Sequence, residues 1–166
     1  MYRTIEDFIS DWRTESESTL KLLKGLTDAS LGQKTYNEGR SLGFLAWHLV
    51  LTLGEMGSKM GFVVNAPGEN TPTPEVASDI FTAYETASES ITKLVKYRWK
   101  DAMLDEDIEL YGEKWKRGYA LASLVKHEIH YRAQMTVVMR QAGLKVPGIY
   151  GPSREEWTQL GMQPLP

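Results

Sequence analysis

Cysteine is absent from the 166 residues of this chain. That absence excludes a disulfide framework, thiolate metal sites and a cysteine nucleophile, and it leaves any transition-metal site to imidazole, carboxylate, phenolate or water. Long apolar runs are missing too. No stretch approaches the roughly 20 residues that span a bilayer, and the longest, around Leu42 to Leu53, is broken by His48 and Thr52. Charge of one sign is nowhere concentrated: 19 basic against 22 acidic residues give a net −3 with no block of like charge. A nucleic-acid surface, which needs a clustered basic patch, is therefore not expected. The opening MYRTIEDFISDWRTE carries acids early and has no apolar h-region, so no secretory signal is expected and a cytoplasmic protein is. No internal repeat, low-complexity run or linker divides the chain.

What is present fits one globular domain spanning residues 1–166: 42% hydrophobic and 25% charged residues, in a chain long enough to bury a core. A first helix is expected from about Thr4 to Leu26, with Ile5, Phe8, Ile9, Trp12, Leu20, Leu23 and Leu26 at helical spacing and Thr4 with Asp7 as a cap. The segment from Asp28 to Arg40 reads as loop. Ser41 then caps a second helix with a stripe from Leu42 through Leu45, Leu49, Leu53 and Met56 to Met60. NAPGENTPTP, from Asn65 to Pro74, is a loop, and Thr73 with Pro74 signals the start of a third helix carrying Ile80, Tyr84, Ala87, Ile91 and Leu94. Lys100 to Gly118 is ambiguous: a short extended piece fits, without a clear hairpin partner. A fourth helix runs from about Tyr119 to Ala142, with Gly143 as its stop, and Ser153 with Glu156 forms a capping box for a short helix ending at Gly161. Four long helices, short connections and no strong strand pattern predict an all-α four-helix bundle with a short C-terminal helix.

The three histidines are His48, inside the second helix, and His127 and His130, inside the fourth. Residues three or four apart on a helix differ in direction by only about 60° or 40°, so two imidazoles from one helix can reach one point. A third from a facing helix would complete a three-ligand metal site with open positions. HEIHY falls one residue short of the zincin HExxH, because Tyr131 holds the second ligand place, and a bundle does not supply that motif's context. Glu128 is the nearest candidate general base, and Arg132 either binds a substrate carboxylate or pairs with an acid such as Glu128 four residues earlier.

RSLGFLAWHLV (Arg40 to Val50) and HEIHYRAQM (His127 to Met135) resemble the two signature regions of the DinB-like superfamily, which includes the YfiT-like proteins. The resemblance covers nearly the whole chain. It implies a bundle, often dimeric, in which three histidines bind a divalent metal, zinc or nickel. It also implies a metal-dependent enzyme, a hydrolase or a transferase using a low-molecular-weight thiol, acting on a small molecule; a non-catalytic ligand-binding or stress-response bundle is the alternative. His48 matches the first ligand and His127 the second. The family's third ligand closes an H-x-x-x-H pattern, and that place holds Tyr131 here, with His130 one residue earlier. Three outcomes follow, in order of expectation: His130 coordinates after a small helix rotation, Tyr131 coordinates as phenolate, or the site is empty. The expected metal ligands are thus His48, His127 and His130.

Overall fold

The computed structural model describes residues 1–163. Four long helices form the bundle: α1 (Ile5–Lys24), α2 (Leu42–Lys59), α3 (Ala77–Arg98) and α4 (Arg117–Gln141); α5 (Arg154–Gln159) follows in the tail. The caps expected from the sequence are in place, with Thr4 Oγ1 accepting from the Asp7 N–H at 3.0 Å and Ser41 Oγ from that of Phe44 at 3.1 Å. At α5 the Glu156 carboxylate accepts from the Ser153 N–H at 3.0 Å, while Ser153 Oγ has no partner. Helix α3 starts later than Thr73 and Pro74 suggest. Its first N–H, on Ala77, is capped from elsewhere, by Asp28 Oδ1 at 2.7 Å.

Each helix packs on two others: α1 and α2 both lie against α3 and α4, so α1 is diagonal to α2 and α3 is diagonal to α4. Residues 25–41 and 99–116 make the diagonal steps across the ends of the bundle, and residues 60–76, which join the neighbours α2 and α3, form a connection of similar length. The short connections expected from the sequence are not found. The second crossing also contains what the sequence reading left without a partner: β1 (Asp107–Leu110) pairs antiparallel with β2 (Glu113–Lys116). Tyr111 and Gly112, at φ 54° and 80°, make the two-residue turn between them. Positive φ at both positions suits the twist of a hairpin, but a tyrosine in the first hides the usual Asn-Gly signal.

The core is continuous, from Phe8, Trp12 and Leu22 of α1 through Leu42, Leu49 and Leu53 of α2 to Ile80, Tyr84 and Ile91 of α3 and Leu121, Leu124 and Met135 of α4. The ring N–H groups of two buried tryptophans donate to backbone carbonyls: Trp12 to Ser88 at 3.2 Å and Trp47 to Thr71 at 2.8 Å. Trp47 thereby anchors the α2–α3 loop.

A polar network runs through this core. Arg132 of α4 is paired with the Glu15 carboxylate of α1 and also donates to the Glu15 carbonyl at 2.8 Å; both side chains are buried. Tyr150, from the tail after α4, donates to the same carboxylate at 2.6 Å. Glu128, one turn before Arg132, accepts from Thr19 of α1 at 2.8 Å and from Tyr84 of α3 at 3.0 Å. Arg132 thus pairs across the bundle with Glu15 and not within its helix with Glu128. Burial pushes the Glu128 carboxyl up to about 7 despite its two hydroxyl donors.

Removing one partner of a buried ion pair leaves the other charge without compensation, whereas replacing both with apolar groups relieves much of the cost. Arg132→Met should therefore destabilise the protein by about 3 kcal/mol or more. Adding Glu15→Leu should recover a large part of the loss. Urea unfolding of the parent, the single and the double variant checks this; a double variant no more stable than the single would contradict it.

Candidate metal centre between α2 and α4

The segment before α2 is tightly closed. Lys34 pairs with Ser41 in an isolated antiparallel bridge, and the Gly39 N–H donates to the Tyr36 carbonyl at 2.9 Å, completing a turn between them. A side chain at Gly39 would meet that carbonyl at 3.0 Å and the Tyr36 ring at 3.1 Å. The turn delivers Arg40 to the base of α2. From there Phe44 and His48 follow at one-turn intervals on one face, opposite His127 and Tyr131 of α4, also one turn apart.

These five side chains form one assembly. His48 Nε2 and His127 Nε2 are 3.1 Å apart. The Tyr131 ring packs on both imidazoles, with centroids 4.3 Å from His48 and 4.5 Å from His127. Phe44 stacks parallel on His48 at 5.9 Å. The Arg40 guanidinium lies over the Phe44 and Tyr131 rings at 5.1 and 5.8 Å and donates to the Tyr131 hydroxyl at 2.9 Å. Burial lowers the pKa of His48, aided by Arg40 and opposed by Glu55. Burial first, then the neighbouring His48 and His130, brings His127 down to about 4. Both rings are therefore neutral at pH 7, the form that binds metals.

His130 stands apart from the pair. It is exposed, and its Nε2 lies 2.7 Å from the Gln134 amide nitrogen. Among the described residues no three His, Cys, Asp or Glu side chains gather as they would around a metal ion. The expected ligand trio is thus brought together only in part, and the side chain beside the pair is Tyr131. Helical geometry gives the reason. Taking about 100° per residue, His130 lies about 60° to one side of His127, while Tyr131, Glu128 and Arg132 lie about 40°, 100° and 140° to the other. Bringing His130 to the direction of Tyr131 needs a turn of about 100°, not a small one, and would pull Arg132 away from Glu15. Glu128 faces the core network, bonded to Thr19 and Tyr84, and is no base for this site.

Two imidazole nitrogens each about 2.0–2.1 Å from one ion, at angles between octahedral and tetrahedral, stand about 2.8–3.4 Å apart. The observed 3.1 Å fits two ligand places of a divalent metal, and the Tyr131 ring lies against both imidazoles, with its hydroxyl held by Arg40. One feature is unusual for a ligating histidine: His127 Nδ1 is buried without the hydrogen-bond partner that ordinarily fixes the tautomer. Sequence reasoning gave no role to Arg40 or Phe44. The signal for Phe44 was its spacing, four residues before His48 on the same helical face; Arg40 precedes the extended Ser41 cap and is placed by the turn, which helical spacing does not reveal.

A helical bundle with crossing connections and a histidine pair between its second and fourth long helices defines the class, and the comparisons supply the family. The DinB family model matches residues 1–164, and the chain belongs to that family. The uncharacterized protein YrdA of Bacillus subtilis (strain 168) is 41% identical over 163 residues, covering 98% of each chain. A DinB-like protein from Bacillus cereus ATCC 10987, known from its crystal structure, is 37% identical, with a TM-score of 0.87 over 90% of this chain and all of that one. The DinB-like protein YjoA of Bacillus subtilis shares the fold at 21% identity, with a TM-score of 0.66 over 82% of this chain and 92% of its own.

The lowered pKa of His127 carries a sign that can be tested in metal-free protein. As pH falls below about 6.5 the unfolded chain takes up this proton, whereas the folded one refuses it until about 4. Stability from this group is complete above 6.5 and is lost through that window. The parent should lose stability relative to His127→Asn between pH 6.5 and 4, read as urea midpoints in the presence of chelator. Parallel profiles would contradict the burial of a neutral ring.

Proposed function

We propose that His48 and His127, with Tyr131 in the third place, hold a divalent metal, zinc or nickel, and that the protein is a metal-dependent enzyme acting on a small molecule. The 3.1 Å separation of the two Nε2 atoms carries this reading. Bound there, the ion would act as a Lewis acid, polarising a substrate carbonyl or lowering the pKa of a bound water or thiol. The chain's own residues do the rest. His48 and His127 present neutral nitrogens, Phe44 covers one face of His48, and Arg40 holds the Tyr131 hydroxyl and keeps a positive charge at the edge of the site. With no cysteine in the sequence, a thiol reaction must draw its nucleophile from a low-molecular-weight thiol. Hydrolysis and thiol transfer are the two reaction classes this supports.

Calorimetric titration of tag-free protein with zinc and with nickel at fixed pH tests the site. His48→Ala and His127→Ala should each lose most of the affinity, since one imidazole and a phenol make a poor site. Tyr131→Phe should weaken binding, His130→Ala should leave it nearly intact, and Tyr131→His should tighten it by restoring H-x-x-x-H. Loss on His130→Ala with none on Tyr131→Phe would move the third ligand to His130. Equal binding by all five variants and the parent would end the proposal.

A further inference from the structure

Beside the histidine pair lies an open cleft of about 560 Å³ between the loop that precedes α2 and the C-terminal half of α4. The loop contributes Glu38 and Arg40, α2 contributes Leu45, and α4 contributes Gln134, Val137 and Val138. Its floor is apolar, from Leu45, Val137 and Val138, and its rim is polar, with Thr35 and Tyr36 beside Glu38, Arg40 and Gln134; an apolar floor with polar groups that can orient a ligand suits a small-molecule pocket. Arg40 stands at the boundary. It lines the cleft, yet its guanidinium donates to the Tyr131 hydroxyl, and the Tyr131 ring touches both imidazoles.

Arg40 is also held in place. Two aromatic rings lie under its guanidinium, from Phe44 and Tyr131, and the closed turn at Gly39 fixes its backbone. Among the described residues that guanidinium meets no carboxylate within ion-pair distance, and the bond to Tyr131 is its one hydrogen bond, although Glu38 lies on the same rim. A guanidinium has five N–H donors in a planar fork suited to a carboxylate. A positioned cation without a protein counter-ion, next to an apolar floor, is complementary to an anionic group carrying an apolar body.

We infer that this cleft is the substrate site of the metal centre and that it takes a small organic acid. Arg40 binds the carboxylate, Gln134 supplies a hydrogen bond, and the apolar body lies on Leu45, Val137 and Val138. This rests on the metal reading for what happens to the substrate, but not for whether the acid binds. With the carboxylate on Arg40, the polar end of the molecule faces the histidine pair and its chain occupies the cleft. His130 then acquires a part in the site other than metal ligation: its contact with Gln134 positions that amide at the cleft wall.

Hexanoate serves as the probe, with hexanamide as the uncharged comparator and acetate as the comparator without a tail. In two-dimensional amide NMR, hexanoate should shift Gln134, Val137 and Val138; it should bind about tenfold tighter than hexanamide, which lacks the charge-assisted bonds to Arg40, and about tenfold or more tighter than acetate, which lacks the buried tail. Arg40→Gln should abolish the preference for acid over amide. Val137→Trp, which narrows the cleft from its exposed side, should weaken both ligands while leaving zinc affinity unchanged. Equal binding of hexanoate and hexanamide, or shifts confined to residues outside the cleft, would overturn the inference. A parent that binds hexanoate but not zinc would leave the acid site standing and remove the metal; one that binds zinc but not hexanoate would do the reverse.

Discussion

The buried pairing of Arg132 with Glu15 fixes the rotation of α4, and the candidate site depends on that rotation. Helix α4 serves two sides of its surroundings with two pairs of residues, each pair one turn long and offset from the other by a single position. Glu128 and Arg132 face inward to α1 and α3, where they meet Thr19, Tyr84 and Glu15. His127 and Tyr131 are turned by about 100° from them and face α2. A buried charge must keep its partner, so the helix cannot roll to suit the site. Tyr150 adds a further bond to Glu15 and ties the tail to the same point.

That constraint explains how the α2–α4 contact is arranged. Because α4 is held from the α1 side, its outward pair arrives opposite Phe44 and His48, and two neutral imidazoles come within 3.1 Å of each other. The crossing loop before α2 brings Arg40 over the top of the stack, where it joins the histidine pair to the cleft beyond. The five residues therefore come from two helices and one turn, each fixed by an interaction outside the site. A site of this kind is preorganised, and preorganisation is what an open-position metal site or a small-molecule site requires.

Much of the fold was legible in the sequence because the apolar stripes of α1 to α4 keep helical period and because Thr4, Ser41 and Gly143 mark helix ends. The details that were not legible have tertiary causes. The start of α3 is set by Asp28, far away in the chain. The hairpin turns on a tyrosine at positive φ, a residue that advertises no turn. Which helices are diagonal, and so where the chain crosses the bundle, is not encoded in the stripes. For the site, His48 and His127 were legible as a pair across two helices. His130 was expected beside them because sequence spacing alone allows residues three and four apart to converge. Only the partner of Arg132, invisible in the sequence, decides which of the two neighbours turns inward.

In the proposed site His48 and His127 share a metal with Tyr131 beside them. An anomalous-scattering map, from a crystal of tag-free protein soaked in zinc and measured at the zinc edge, tests it most directly. One strong peak is expected about 2.0–2.1 Å from both Nε2 atoms, with the Tyr131 oxygen closer to it than any atom of His130. No peak between the two rings, or a peak held by His130, would contradict it.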